Sequence, residues 1–205
     1  MRSEIPSNRL TKDRIMADKK GTWVYEIDSK SPAGVRYILG EKFDKTKQKA
    51  LVCIGINPST ATPEQLDTTL NRIQKYTKES GKYGTWYMLN VYPQRATNPN
   101  DMDRERNEGI HTANLQHIEN LFKTLSYADI WCAWGSNINK RKYLKECLKQ
   151  IAEKIQSFAN KEFEFVKKEI SDKTRNSKHP LHPIASVKTK KELQKFDLMK
   201  YLETV

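Results

Sequence analysis

The strongest indication of the architecture lies in residues 51–61, Leu-Val-Cys-Ile-Gly-Ile-Asn-Pro-Ser-Thr-Ala. An apolar run of strand length that ends abruptly in turn-forming residues is typical of a strand buried on both faces of a sheet. The turn leaves the polar side chain of Asn57 at the carboxyl end of this strand. Because open α/β sheets place their ligand sites at that edge, Asn57 is the first candidate site residue.

Apolar runs alternate with amphipathic segments on both sides of this strand. We predict strands at 22–27, 35–39, 50–56, 85–91, 128–134 and 162–166, and helices at 62–79, 103–125, 138–157 and 189–201. This alternation predicts an α/β fold, a three-layer sandwich with a central, mostly parallel sheet of about four strands. Ser31-Pro32-Ala33-Gly34 separates the first two strands and predicts an N-terminal hairpin.

The ends of these elements define an edge at which a site can form. Right-handed crossovers place the loops that follow parallel strands on one edge of the sheet, so Asn57, Asn90 and Gly135 are expected to meet there. A polar loop at 171–187 follows the last strand and contains two His-Pro pairs. We expect this loop to reach the same edge and to complete a split site.

Composition narrows the class of partner. The chain has 205 residues, with 37 Lys and Arg against 25 Asp and Glu, for a formal net charge of +12. This surplus modestly favours DNA or a nucleotide as partner over the alternative, a solvated basic surface, which is common. Residues 1–20 are polar and predicted to form a loose basic arm, and residues 21–205 are predicted to form a single domain.

The positions of the cysteines and the lengths of the apolar stretches indicate in which compartment the protein works and whether it binds a metal or a membrane. Cys53 and Cys132 lie inside apolar runs, which is typical of reduced core residues in a cytoplasmic protein. The histidines and cysteines have no metal-ligand spacing, so we expect no metal. We also expect no cofactor and a monomer. No apolar stretch reaches the roughly 20 residues that a membrane-spanning helix needs, so we expect no membrane partner.

Four segments, in order, carry a resemblance to a known family. They are residues 55–58 (Gly-Ile-Asn-Pro), 87–91 (Tyr-Met-Leu-Asn-Val), 130–135 (Ile-Trp-Cys-Ala-Trp-Gly) and 182–186 (His-Pro-Ile-Ala-Ser). Together they resemble the uracil-DNA glycosylase superfamily, and the first resembles its mismatch-specific branch. The resemblance implies a uracil-DNA glycosylase-like fold, and hydrolysis of the N-glycosidic bond of a flipped, modified or mismatched pyrimidine during DNA repair or modification.

A bacterial and phage family of unknown function is more similar still. Its motifs match Asn-Pro-Ser-Thr-Ala at 57–61, Asp-x-Thr at 67–69, Asn-x-x-x-x-Arg-Ala-Thr at 90–97, Trp-Gly at 134–135 and His-Pro at 182–183. The similarity to this family covers residues 36–186. The order and spacing of the motifs, rather than any one of them, make the resemblance specific.

The resemblance assigns roles that agree with the chemistry of the residues. Glycosidic cleavage puts negative charge on the departing base and needs a positioned water under the sugar. His182 would donate to the base and Asn57 would orient the water, although an asparagine cannot take its proton. The amide of Asn90 presents a donor and an acceptor, which suits a pyrimidine edge. Ser59 and Tyr92 are further base-binding candidates, with Trp86 as an alternative stacking residue.

The remaining candidates would contact nucleic acid around a flipped base. Arg95, Lys140 and Arg141 could bind phosphates, and Ile184 could fill the gap in the base stack, with Ser186 beside it. For the three basic residues, solvated surface charge is the simpler interpretation.

Several alternatives stay open from sequence alone. His179 heads an equivalent His-Pro pair and is the alternative catalytic histidine. Asn57 and Asn90 could serve only to form turns. Two other hypotheses for the function also stay open. One is a nucleotide or modified-nucleoside processing enzyme on the same fold. The other is a DNA-binding module without catalysis, which agrees with Ser59 in place of the glycine or tyrosine usual in active glycosylases and with an asparagine in place of an acid.

Overall fold

The computed structural model describes residues 17–18, 21–30, 34–168, 178–184 and 192–205. Its strands are β1 (Ala17–Asp18), β2 (Gly21–Asp28), β3 (Val35–Lys42), β4 (Ala50–Gly55), β5 (Thr85–Asn90), β6 (Tyr127–Cys132), β7 (Glu162–Lys167) and β8 (Gln194–Lys195). Its α-helices are α1 (Thr68–Glu79), α2 (Glu108–Thr124), α3 (Tyr143–Gln156) and α4 (Leu198–Glu203). Short 3₁₀ helices span Pro99–Asp101 and Gly135–Asn139.

All eight of these strands form one mixed sheet, in the order β1-β2-β3-β5-β4-β6-β7-β8. Its centre is the parallel set β5-β4-β6-β7, which confirms the predicted α/β class and the four parallel strands. The predicted β2–β3 hairpin is present and extends the sheet antiparallel to β5. Because β4 pairs parallel with both β5 and β6, the carboxyl ends of three strands lie side by side, with that of β4 in the middle.

Both faces of β4 are buried, which explains why its sequence is apolar without alternation. Val52 and Ile54 pack in a cluster that includes residues of α2, α3 and α4. Leu51 and Cys53 pack in a second cluster on the other face with residues of α1. Helices therefore cover both faces of the parallel strands, and Cys53, like Cys132, is fully buried in the core.

The structure corrects the predicted start of α1. Thr62 does not cap this helix, because its backbone amide and carbonyl bond reciprocally to Gln65 in a turn. The helix begins at Thr68, where the Asp67 side chain accepts from the amide of Leu70. The turn at 62–65 uses the groups that an earlier helix would need, and an aspartate caps better than a threonine.

The other predicted helices also begin too early. Asn107 caps α2, and a 3₁₀ helix that ends at Asn139 precedes α3. Within the predicted helix 189–201, Gln194–Lys195 pair with β7 instead, and Asp197 caps the shorter α4. Within the predicted arm, Ala17–Asp18 form a strand paired with β2. The rest of that arm, and residue 189, lie outside the described residues.

Candidate functional site

A pocket of about 480 Å³ opens beside the carboxyl end of β4, on the α1 side of the sheet. Its volume is in the range of small-molecule binding sites. Residues from distant segments line it, among them Asn57, Ser59, Asp67, His182 and Ile184. The structure thus brings together Asn57 and His182, the two residues predicted to be catalytic, at the sheet edge where the site was expected.

The side chain of Asn57 is held by the backbone around it. Its Nδ2 donates to the carbonyl oxygen of Ala96 at 2.6 Å and to that of Pro58 at 3.2 Å. The amide of Ala96 in turn donates to the carbonyl of Pro58 at 2.9 Å. These bonds join the loops that follow β4 and β5. Because Nδ2 is engaged, Oδ1 is the group with which Asn57 can accept a hydrogen bond from a ligand or a water.

His182 is oriented by its own loop. Its Nδ1 accepts a hydrogen bond from the backbone amide of Ile184 at 3.3 Å. In the neutral ring this leaves the proton on Nε2, which is then a donor. Burial lowers the pKa of His182 below its ordinary value; the nearby Asp67 carboxylate opposes this and Arg72 adds to it. His182 is therefore a neutral hydrogen-bond donor at pH 7.

Two contacts dock the His-Pro loop on the sheet edge. The amide of Gly135 donates to the carbonyl of Pro180 at 2.8 Å, and Arg72 Nη1 donates to the carbonyl of Ile184 at 2.9 Å. Gly135 has a φ of 62°, a conformation that disfavours other residues, and a Cβ there would lie 3.8 Å from the His182 Cβ. The Trp-Gly and His-Pro motifs are thus in direct contact.

The alternative histidine, His179, faces the carboxyl-terminal helix instead. Its Nδ1 lies 2.7 Å from the Tyr201 hydroxyl, and its Nε2 lies 2.9 Å from Asn139 Nδ2. The Tyr201 hydroxyl also accepts from Trp134 Nε1 at 3.1 Å. His179 does not line the pocket, and both ring nitrogens are engaged, so its position fits a structural role.

Asn90 is completely buried beside the pocket rather than on its wall. It pairs with Gly55 across the parallel strands β4 and β5, and Gly55 lines the pocket. A Cβ at Gly55 would lie 2.5 Å from Met88 Cε and 3.4 Å from Asn90 Oδ1, so the flexible side chain of Met88 occupies the space that the glycine leaves beside this amide. Neither Oδ1 nor Nδ2 of Asn90 has a hydrogen-bond partner among the described residues. A buried amide with both groups unpaired is costly, so a water or a ligand is expected to supply the partners.

Ser59 and Asp67 fix the shape of the loop after β4. The Ser59 hydroxyl donates to Asp67 Oδ2 at 2.5 Å, while Asp67 Oδ1 caps α1 at 2.9 Å through the amide of Leu70. Ser59 lines the pocket, but its proton is committed to Asp67. Ser59 therefore holds the position of the Asn57 loop and does not offer its proton to a ligand.

Loss of the Asp67 carboxylate should destabilise the fold measurably. Asp67→Ala removes the cap of α1 and the acceptor of the Ser59 hydroxyl, for an expected loss of about 1 to 2 kcal/mol in the free energy of unfolding. Urea unfolding followed by circular dichroism measures it. Glu153→Ala, which removes an exposed carboxylate from α3, is the control and should change stability by less than about 0.5 kcal/mol. An unchanged midpoint for Asp67→Ala would contradict the assigned contacts.

Two predicted phosphate ligands hold loops together in the structure. Arg141 donates to the backbone carbonyls of residues 100, 102, 103 and 140. Arg95 bonds the Tyr25 hydroxyl and stacks near its ring, and neither arginine lines the pocket. Lys140 is exposed on the surface, where a phosphate could reach it.

Four predicted site residues remain: Tyr92, Trp86, Ile184 and Ser186. Tyr92 is completely buried, with its hydroxyl accepting from the amide of Asn107 at 2.9 Å, so it has no face free for a base. Trp86, the alternative stacking residue, is also completely buried. Ile184 lies at the pocket with 45 % of its surface exposed, as an inserting residue requires. Ser186 lies outside the described residues.

Sequence analysis missed Arg36, which lines the pocket although its side chain is almost inaccessible to solvent. Only 2 % of the residue is exposed, and Nη1 donates to the carbonyl of Ala61 at 3.0 Å. Burial and the neighbouring Arg95 lower the pKa of Arg36 to about 10, so it remains charged at pH 7. The sequence feature that could have identified Arg36 is its position inside the apolar run Val35–Leu39, because a cation is rarely buried unless a partner compensates its charge.

The described residues contain neither a metal-binding cluster nor a membrane-spanning helix. Among the described residues, no group of three or more His, Cys, Asp or Glu side chains could hold a metal ion. Within the same part of the chain, no helix has both the length and the apolar character needed to cross a membrane.

Comparison with known families gives one match. The sequence profile of a family described as "Protein of unknown function (DUF1643)" matches residues 36–184, a range that includes every residue lining the pocket. This agrees with the expected similarity to a family of unknown function, and it gives no support to the uracil-DNA glycosylase superfamily. Neither a search of curated proteins nor a search of solved structures returned a match.

Proposed function

We propose a function for this chain, which belongs to the DUF1643 family of proteins of unknown function: it hydrolyses the N-glycosidic bond of a pyrimidine flipped out of nucleic acid. The single observation that carries the proposal is the meeting of Asn57 and His182 in one pocket at the carboxyl edge of the parallel strands. His182 offers a proton donor to the departing base, and Asn57 offers an acceptor to the attacking water.

The neighbourhood of the pocket supports a base as the ligand. The unpaired amide of Asn90 lies beside Gly55 and the flexible side chain of Met88, and once that side chain moves aside it can both donate to and accept from a pyrimidine edge. Ile184 is exposed at the rim and can enter the gap that a flipped base leaves in the stack. The net charge of +12 favours attraction to a polyanion.

A second candidate function is hydrolysis of the same bond in a free nucleotide or modified nucleoside. The observation that favours it is the cation of Arg36 inside the pocket, where the backbone of a duplex does not reach. Oligonucleotides and free nucleotides of the same base distinguish the two candidates.

An abasic-site assay tests the leading proposal. Oligonucleotides with uracil, mismatched thymine or modified pyrimidines, single-stranded and double-stranded, are incubated with the protein and treated to cleave abasic sites. We expect base release with at least one of them. Asn57→Ala should reduce the rate by about 10- to 10²-fold, because an amide orients water without taking its proton.

The controls separate the pocket from the rest of the surface. Asn120→Ala removes an amide exposed on α2 and should leave the rate unchanged. Base release that survives both Asn57→Ala and His182→Ala would show that the site is elsewhere. Salt-sensitive DNA binding without base release from any substrate would favour a binding module without catalysis.

A further inference from the structure

Among the described residues, Arg36 has no ion-pair partner, although the Asp67 carboxylate is near enough to offset its charge in part. None of the ion pairs among them includes Arg36, and Nε, which is buried, has no hydrogen-bond partner. A buried, unpaired cation is strongly unfavourable unless something compensates it. Arg36 nevertheless lines the pocket, where a ligand can supply the missing anion.

The charges near the pocket are predominantly positive. The Asp67 carboxylate is near enough to influence both Arg36 and His182, and it already accepts bonds from Ser59 and from the amide of Leu70. Against this one carboxylate stand three guanidinium groups: Arg36, its neighbour Arg95 and, on α1, Arg72. A ligand with negative charge would therefore be attracted into the pocket.

The amino terminus of α1 adds backbone donors beside Arg36. Thr68 and Thr69 are the first two residues of this helix, and both line the pocket. The first amides of a helix have no partner within it, and the helix dipole favours negative charge at that end. A forked guanidinium and helix amides are the two groups that most often bind phosphate in proteins.

We propose that the pocket contains a phosphate subsite, formed by Arg36 and the amino terminus of α1, that takes the terminal phosphate of a nucleoside monophosphate. A terminal phosphate has one attachment and up to two negative charges, so it can enter a pocket end first. An internal phosphodiester has a sugar on each side and a single charge. Since Arg36 is only 2 % exposed, a group must enter the pocket to reach it.

The choice of a nucleoside as the remainder of the ligand rests on the second candidate function, hydrolysis of the N-glycosidic bond in a free nucleotide, whereas the phosphate subsite does not. The subsite follows from the buried Arg36 side chain and the helix amides of α1 that line the same pocket. It makes phosphate a determinant of affinity: the same nucleoside should bind more tightly with its 5′-phosphate than without it.

Binding measurements on the full chain test this subsite. Inorganic phosphate, uridine and uridine 5′-monophosphate are titrated by calorimetry, and the melting temperature is measured with each. The wild type should bind the monophosphate at least about tenfold more tightly than the nucleoside, as for a charge-assisted bidentate contact. Inorganic phosphate should raise its melting temperature.

Arg36→Met should remove the preference for the monophosphate and the response to phosphate. Without ligand it should melt no lower than the wild type, because an apolar side chain replaces a buried, unpaired cation. A purely structural arginine would instead give a lower melting temperature. Arg104→Met, which removes an exposed positive charge outside the pocket, should behave as the wild type.

Arg36→Lys keeps the positive charge but loses the forked donors of the guanidinium group. The preference for the monophosphate over the nucleoside should therefore weaken without disappearing. This variant decides the test if Arg36→Met does not fold. The subsite is refuted if the wild type binds nucleoside and monophosphate equally, or if the preference is undiminished in the folded Arg36 variants. Base release is measured in parallel. A phosphate preference without base release would retain the subsite and reject the proposed activity, and base release without a phosphate preference would do the reverse.

Discussion

Replacement of His182 by alanine should reduce the rate of base release by about 10²- to 10³-fold, the usual effect of losing one positioned donor to a developing anion. The Nε2 proton is the only donor that the neutral ring can offer, because Nδ1 accepts from the amide of Ile184. His182→Gln keeps a side-chain donor of similar reach and should recover part of the rate. Equal losses in both variants would mean that the imidazole acts by some other route.

The pH dependence of the reaction provides a second measure of the same role. Burial lowers the pKa of His182, so the ring stays neutral at and above its ordinary range, near pH 6.5. The rate should be flat through neutral pH and fall as the pH drops through the lowered pKa. If His182 instead acted as a cationic acid, the rate would rise as the pH falls.

The effect of pH on the reaction rate must be separated from the effect of pH on the stability of the fold. Because the pKa of His182 is higher in the unfolded state, that state binds more protons below pH 6.5, and the fold also loses stability there. Circular dichroism at each pH shows where unfolding begins. Arg72→Gln removes a positive charge that lowers the pKa of His182, so the acid limb of the rate profile should move to higher pH.

The central strands were predictable because burial on both sides leaves a simple signature. The residues of β4 and most of those of β5 and β6 are buried, and their apolar runs are bounded by turn residues. Helix starts were harder to predict because several capping residues compete. Thr62-Pro63-Glu64 satisfies the local rules for a helix start, but Thr62 closes a turn with Gln65 and Asp67 is the cap that forms.

The position of a site residue could be predicted from the sequence where it follows from the end of a strand. The role of a site residue could not be predicted where it depends on contacts with residues that are distant in the sequence. Parallel topology alone places Asn57 beside the strand of Asn90. The choice between the two histidines depends on Tyr201, which engages His179 from a helix near the carboxyl terminus, and no local pattern around the His-Pro pairs reports that contact. The role of Arg36 depends on the loop that folds over it from Ala61.

Stability and recognition are expected to oppose each other at Asn90. Both polar atoms of its amide are buried and unpaired, a condition that costs about 1 to 3 kcal/mol in the free protein. Asn90→Leu has a similar branched shape without polar atoms, so it should raise the free energy of unfolding by about 1 to 3 kcal/mol. It should also slow base release by about 10²-fold, about tenfold for each of two lost hydrogen bonds.

Asn114→Leu is the matched control for the stability measurement. Asn114 is also completely buried, but its Nδ2 donates to the backbone carbonyl of Asn90 at 3.0 Å, so this variant should lose stability in urea unfolding. Asn90→Ala accompanies Asn90→Leu in case the larger side chain is crowded by Met88. If both Asn90 variants unfold more easily than the wild type, the amide is paired within the protein. If both release base at the wild-type rate, the amide does not contact the base.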